Sequence, residues 1–309
     1  MDYKNLRIVF MGTPDFAVAS LDALVKEDFH IVGVITAPDK PAGRGMQLQQ
    51  SAVKKYAVEN ELKVLQPEKL KNPDFLHELH SLKADLQIVV AFRMLPEVVW
   101  NMPPLGTINV HGSLLPQYRG AAPINWAIIN GERETGVTTF KLKHEIDTGD
   151  LLLQERIAID SNETAGELHD KMKEVGAQLL VRTIRQLAEG NIKETPQTGS
   201  AESIKHAPKI FTDTCKIDWN KPVGEVYNLI RGLSPFPGAF TYLNGKILKI
   251  YKSEKEEVTP EMAAGEVATD NKTYLKFASA NGYINVKEMQ LEGKKRMQTA
   301  DFLRGYRFE

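Results

Sequence analysis

The sequence predicts an α/β domain built on a parallel sheet, followed by a smaller, mostly β domain. Three observations carry that prediction. Residues 6–36 spell a β-α-β unit, residues 190–208 lose apolar periodicity, and beyond 209 the pattern changes to short strands separated by Asn-Gly pairs. A chain of 309 residues is long enough for two cores of ordinary size. The expected division is a first domain over 1–189, a linker over 190–208 and a C-terminal domain over 209–309.

Taken in order, residues 6–11 (Leu-Arg-Ile-Val-Phe-Met) form the apolar run of a buried strand. Gly12-Thr13-Pro14 then offers a tight turn, an N-cap and a proline for the first helical position. Ala17, Val18, Leu21, Leu24 and Val25 fall at helical spacing, and 30–36 supplies a second strand. Such a unit implies a parallel sheet with a right-handed crossover. A dinucleotide site wants Gly-x-Gly-x-x-Gly after the first strand. Gly-Thr-Pro-Asp-Phe stands there instead, which argues against a nicotinamide enzyme.

Residues 37–50 form a long polar loop, rich in Pro and Gly, that carries Lys40 and Arg44. A helix over 51–60 opens at Ser51, a short strand covers 63–65, and a polar helical segment lies near 73–83. Strands follow at 86–91 and 108–110, a helix at 121–130 closed by Gly131, and two more strands at 135–142 and 151–159. A long helix spans about 163–189 and carries His169 as a surface or core residue. In the C-terminal region Asn244-Gly245 and Asn281-Gly282 each divide two apolar runs and predict two-residue hairpins.

Composition narrows the class. At 42% hydrophobic and 26% charged, with a net charge of −1, the chain is expected to be soluble and globular. No apolar run approaches the roughly 20 residues of a membrane span. Residues 6–11 are too short for a signal-peptide core. The single Cys215 fits a reducing compartment and is expected to be a small core residue. A cytoplasmic location follows as the expectation. Residues 209–309 hold 16 Lys and Arg against 13 Asp and Glu, whereas the first 208 hold 23 against 27. That mild asymmetry permits a basic C-terminal surface on a phosphate backbone without requiring one.

The chemistry gathers in residues 106–123, Gly-Thr-Ile-Asn-Val-His-Gly-Ser-Leu-Leu-Pro-Gln-Tyr-Arg-Gly-Ala-Ala-Pro. Side chains alternate along a strand, so Asn109 and His111 project from one face. An amide and an imidazole at a strand's C-terminal end suit a reaction that builds and discharges an oxyanion. The same pair also serves as ordinary turn formers. The missing partner is a carboxylate to orient and charge the imidazole. Asp147, inside Asp-Thr-Gly, offers one, with Glu145 and Asp150 as rivals. His111, His144 and Asp147 could instead be metal ligands, but no His-Glu-x-x-His or Cys pair accompanies them, so no metal is expected.

The whole string resembles the 10-formyltetrahydrofolate-dependent formyltransferases, whose signature couples Asn-x-His-x-Ser-Leu-Leu-Pro to a later Asp-x-Gly. Met11-Gly-Thr-Pro-Asp-Phe16, Pro38-Asp-Lys-Pro-Ala-Gly-Arg-Gly45, Arg119-Gly-Ala-Ala-Pro-Ile124 and Ile146-Asp-Thr-Gly-Asp150 narrow the likeness to the branch acting on initiator methionyl-tRNA. The resemblance spans essentially the whole chain. It implies a Rossmann-like formyltransferase domain followed by an OB-like β-barrel that binds tRNA, and a reaction used in initiation of translation. It selects Asn109, His111 and Asp147 as catalytic and 10-formyltetrahydrofolate as co-substrate. It places the folate against Ser113, Leu114, Leu115 and Pro116, with a cis Leu115–Pro116 bond, and against Phe92, Arg93, Met94 and Leu95. In that last segment the family usually has a glycine where Arg93 stands, and a slightly longer run before the proline. The polar loop would reach the tRNA acceptor end through Lys40 and Arg44, and the basic cluster Lys294, Lys295 and Arg296 is a further candidate phosphate contact.

Competing functions are formyl transfer to a small amine or to water, and a non-catalytic RNA-binding protein. The Pro-Ala-Gly-Arg-Gly loop, the β-rich C-terminal region and the lack of an appended dehydrogenase or decarboxylase favour the tRNA substrate. Nothing in the sequence calls for a stable oligomer, so a monomer is expected.

Overall fold

The structure is a computed structural model that describes residues 2–42, 47–198 and 203–308. Its first elements are β1 (Ile8–Gly12), α1 (Asp15–Lys26), β2 (Ile31–Ile35), β3 (Lys40–Ala42), β4 (Gln47–Gln49), α2 (Ala52–Glu59), β5 (Val64–Leu65) and α3 (Pro73–Ser81). Next come β6 (Leu86–Val90), α4 (Glu97–Trp100), β7 (Thr107–His111), β8 (Arg119–Gly120), α5 (Pro123–Ile129), β9 (Glu134–Lys141), β10 (Leu151–Ala158), α6 (Ala165–Glu189) and β11 (His206–Ala207). The chain finishes with α7 (Val223–Gly232), β12 (Ala239–Leu243), β13 (Lys246–Glu256), β14 (Val267–Thr269), β15 (Leu275–Ala278), β16 (Tyr283–Leu291), β17 (Met297–Gln298) and α8 (Thr299–Gly305). Two compact units result. One holds the residues up to Arg119 with Gly136–Ile157 and His169–His206; the other holds Gly120–Thr135, Ala158–Leu168 and the chain from Ala207 onward.

The first unit is the expected α/β domain. Its seven-stranded sheet runs β10-β9-β7-β6-β1-β2-β5. Strands β5, β2, β1, β6 and β7 are mutually parallel, and β9 runs antiparallel to β7. Ile8, Val9, Phe10 and Met11 of the central β1 are fully buried, which is why that stretch is apolar without alternation. Strand order reverses between β1 and β6, so the carboxyl ends of β1, β6 and β7 share the edge where open α/β sheets bind ligands. Gly12 ends β1 because a side chain there would collide with Ala17 Cβ at 2.6 Å. The helix begins at Asp15 rather than Pro14. Pro14 has extended backbone (φ −82°, ψ 175°) and is the N-cap, its carbonyl accepting from Ala17 N at 3.0 Å.

The stretch 37–50 is not the loop expected from its composition. Strands β3 and β4 pair as an antiparallel ribbon, Lys40 opposite Gln49, and Asp39 anchors its base by accepting from Lys54 Nζ (2.5 Å) and Gln66 Nε2 (2.8 Å). Its described side chains, Lys40, Pro41, Leu48 and Gln49, are exposed, Leu48 at 69%, so no apolar alternation betrays it.

The second unit carries an antiparallel sheet ordered β12-β13-β16-β15-β14, with β17 on β16. Helix α7 buries Val226 and Ile230 in a core with Leu248, Phe277 and Ile284 from the strands. A register shift at Lys252 bends β13. Asn244 (φ 48°) and Gly245 (φ 75°) form the expected two-residue hairpin, both central residues left-handed as a type I′ turn requires. The second hairpin differs: Ala278 pairs with Tyr283, leaving a four-residue loop. Asn281 is there for another purpose, its Oδ1 accepting from Val223 N at the start of α7 (2.8 Å). Cys215 is buried and free, as expected. Among the described residues no helix is long and apolar enough to cross a membrane.

Candidate active site

Strand β7 lies between β6 and β9, with Asn109 opposite Phe140 and His111 opposite Thr138. The period of two puts Asn109 and His111 on one face with those partners. The Asn109 carboxamide is half-buried and has no hydrogen-bond partner among the described residues. His111 is 7% exposed, and its Nε2 lies 2.9 Å from the Tyr118 carbonyl. A carbonyl only accepts, so Nε2 carries the proton and Nδ1 is left for the other side of the ring. On that side Asp147 Oδ2 stands 3.9 Å from Nδ1. Tyr118 holds its carbonyl in place from a left-handed backbone (φ 59°), a costly state for a residue with a Cβ.

Asp147 arrives from the segment joining β9 to β10. Leu142 N donates to Thr107 O (2.8 Å) and Lys141 N to Asp150 O (3.0 Å), fixing both ends of the excursion. Between them the chain presses on the face that carries Asn109 and His111. A Cβ at Gly149 would sit 1.6 Å from Lys141 O and 3.2 Å from the Phe140 ring, so only glycine fits the last position of Asp-Thr-Gly. The rival carboxylates are elsewhere: Glu145 is exposed, and Asp150 accepts from Lys143 Nζ at 2.7 Å. Asp147 itself is left-handed (φ 54°), which aspartate tolerates better than most residues. The Gln197 side chain donates from Nε2 to the Asp147 and Gly149 carbonyls, each at 2.8 Å.

The turn after β7 is pinned from β9 and β10. Thr138 Oγ1 donates to Ser113 O (2.6 Å) and accepts from Leu115 N (3.2 Å) and Gln154 Nε2 (3.0 Å). Gln154 also donates to Leu115 O (2.9 Å), and Ser113 Oγ to Gln117 O (2.6 Å). The Leu115–Pro116 bond is cis, as expected, and so are Ser234–Pro235 and Phe236–Pro237. Ser113 and Leu115 face inward, leaving Leu114 and Pro116 partly open.

The segment after β6 divides. Leu95 is buried in the core with Val9, Met11 and Val99, and Phe92 packs against the same cluster. Met94 is 72% exposed. Arg93 donates to the carbonyls of Glu68 (2.8 Å) and Pro67 and lies over the Phe92 ring at 5.5 Å, so its guanidinium ties down the chain after β5. Lys40 is exposed at the ribbon base, and Arg44 lies outside the described residues. Lys294 and Lys295 are exposed, whereas Arg296 forks onto Glu288 (2.8 and 2.7 Å) and stacks on Tyr251 at 4.2 Å. Among the described residues no three His, Cys, Asp or Glu side chains gather where they could hold a metal ion.

Sequence reasoning missed Tyr118, Thr138, Gln154 and Gln197. Thr138, between Val137 and Phe140 in a strand that reads as buried, was a usable signal, since a buried hydroxyl must find a partner. Gln197 sits in a stretch without periodicity and gave none.

Comparison with known proteins gives the family. A family model described as "Formyl transferase" matches residues 6–184, and one described as "Formyl transferase, C-terminal domain" matches 209–307. A methionyl-tRNA formyltransferase of Bacteroides fragilis is 54% identical over 313 residues, covering 99% of this chain and 97% of its own. The one of Phocaeicola vulgatus is 56% identical over 316 residues, with coverages of 99% and 98%. Among solved structures, an N-formyltransferase from Helicobacter canadensis in complex with folinic acid and dTDP-3-aminofucose superposes with a TM-score of 0.69 at 22% identity, covering 94% of this chain and 100% of that one. At that identity the likeness is one of fold.

Proposed function

The chain belongs to the formyl transferase family, and from that premise we propose that it formylates the amino group of methionine esterified to initiator tRNA, for the initiation of translation. The formyl donor is 10-formyltetrahydrofolate, which supplies the carbon that is transferred. The balance is simple: a bond forms between the methionyl nitrogen and the formyl carbon, the bond from that carbon to N10 breaks, and one proton passes from the first nitrogen to the second.

Asn109, with its amide uncommitted, donates to the formyl oxygen as that oxygen gains negative charge. Protonated His111 is the second donor, through Nδ1, because Nε2 is spent on Tyr118. Asp147 stands opposite Nδ1, and either residue can carry the transferred proton. The approach of carboxylate to imidazole is the single observation that supports the reading best. The uncommitted amide and the exposed apolar Met94 and Ile146 suit a flat, polar-edged ring such as a pterin. The folate would lie along Leu114 and Pro116, with Ser113 and Leu115 shaping the turn and Met94 forming the second wall on a segment that Phe92, Arg93 and Leu95 hold in place.

For the tRNA, Lys40 on the ribbon is one proposed contact, and Arg44, outside the described residues, is proposed with it from the family resemblance. Lys294 and Lys295 are those proposed on the C-terminal unit, with Arg296 as their neighbour. The two family matches support a catalytic domain over 1–189, a linker over 190–208 and a tRNA-binding domain over 209–309. We further propose a cytoplasmic monomer. The test is the fate of radiolabelled formyl offered charged initiator tRNA, glycinamide ribonucleotide, an amino sugar nucleotide and water. Label on the tRNA alone is the expected result; label on a small amine or free formate refutes the tRNA assignment.

A further inference from the structure

We infer that Gln197 is the positioning residue for Asp147, and that residues 194–197 form a strap that holds the catalytic carboxylate in register with His111. The inference rests on the role proposed for Asp147.

The amide of Gln197 is fully committed. Its Nε2 donates to the carbonyls of Asp147 and Gly149 at 2.8 Å each, and its Oε1 accepts from Nε and Nη2 of Arg119 at 3.1 and 2.7 Å. Turning the amide over would set its oxygen against two carbonyls and its NH2 against a guanidinium, so only one orientation is compatible with the surroundings. The strap itself is anchored just before Gln197. Thr195 and Leu151 exchange backbone hydrogen bonds of 2.8 and 2.9 Å, and Glu194 pairs with Lys141 Nζ at 2.5 Å.

Asp147 needs such a hold for two reasons. Its backbone is left-handed, a conformation that persists only where the surroundings enforce it. Its carboxylate must also stay aimed at His111 Nδ1, 3.9 Å away, for a proton to pass between them. Gln197 grips the carbonyls on both sides of Thr148 and thereby fixes the excursion at its tip. Arg119 fixes Gln197 in turn, which links the tip to the chain just past Tyr118, the residue that orients the other edge of the imidazole.

The test compares Gln197→Ala, Gln197→Glu, Asp147→Asn and the double variant Asp147→Asn/Gln197→Ala in steady-state formyl transfer, with thermal melts of each. Gln197→Glu keeps an acceptor for Arg119 but turns a charged oxygen on the two carbonyls, so it breaks the grip by repulsion where the alanine variant breaks it by truncation, and each reports if the other fails to fold. Both single variants at Gln197 are expected to lower kcat roughly 10- to 100-fold, the cost of misplacing a reacting group by a fraction of an ångström to an ångström. The folate KM should stay within about twofold, because no group proposed to touch the folate is removed. Adding Gln197→Ala to Asp147→Asn should cost little more, since the residue it positions is already disabled. A kcat within about twofold of wild type in the Gln197→Glu variant overturns the inference, and so does an undiminished further loss in the double variant. Near-normal turnover of Asp147→Asn alone would instead remove the role of Asp147 and the strap with it, and is told apart by that single measurement.

Discussion

His111 is held between two oxygens of opposite use: its Nε2 donates to the Tyr118 carbonyl at 2.9 Å, while Asp147 Oδ2 faces Nδ1 at 3.9 Å. The first contact fixes the tautomer and plane of the ring. The second leaves space beside a nitrogen that can gain or give a proton. Asn109 stands on the same face, one residue of the pleat away, with its amide uncommitted.

That uncommitted amide separates function from stability. Asn109→Ala removes a donor the fold does not use, so its melting temperature should match wild type. The donor is proposed to act on the oxyanion, and kcat should fall by roughly 100- to 1000-fold. Thermal melts beside steady-state kinetics check both halves.

Thr138 is the reverse case. It is fully buried and serves Ser113, Leu115 and Gln154 at once. Thr138→Val keeps the shape and strands those partners, at about 1–3 kcal/mol for each group left without water. The expected outcome is a lower melting temperature together with a raised folate KM, because the 113–117 turn loosens. A folate titration of the purified variant measures it.

Gly149→Ala places a methyl where Lys141 O already is. The segment must move, at a cost of roughly 1–3 kcal/mol or more for overpacking. Turnover should fall further than stability does, since the same shift carries Asp147 away from His111. Denaturant unfolding and kcat on one preparation give the comparison.

Much of this arrangement was legible in the sequence, for physical reasons. Strands β1, β6 and β7 are apolar because the sheet buries both faces, and Asn109 and His111 stand out against that background. Asp147 was not selected by pattern, since Glu145 and Asp150 are as acidic and as near; the resemblance chose it, and packing shows why the others stand apart. The β3–β4 ribbon was hidden because its described side chains are exposed. Asn281 looked like a turn residue because a side chain that caps a helix 58 residues away leaves no local trace. Gln197, 50 residues from Asp147, was silent for the same reason.

In the C-terminal unit, the Asp270 carboxylate accepts from the Thr273 hydroxyl (2.5 Å) and from the backbone of Thr273, Lys272 and Tyr274. Those bonds, the Thr273 hydroxyl first, hold its carboxyl well below the usual carboxylate range. A depressed folded value adds stability that is complete above the ordinary value of about 3.9 and is lost as pH falls through the lower folded one. Asp270→Ala should therefore melt below wild type at neutral pH, and the gap should narrow as pH drops below about 4. Melting curves from pH 7 to pH 2 follow it.

The central claim is that the Asp147 carboxylate serves the transfer step itself. Single-turnover formyl transfer from saturating 10-formyltetrahydrofolate to charged initiator tRNA tests it directly, in wild type and Asp147→Asn. The account predicts a rate lower by roughly 100- to 10,000-fold in the variant, with folate and tRNA binding unchanged. A variant that transfers formyl at close to the wild-type rate would contradict it.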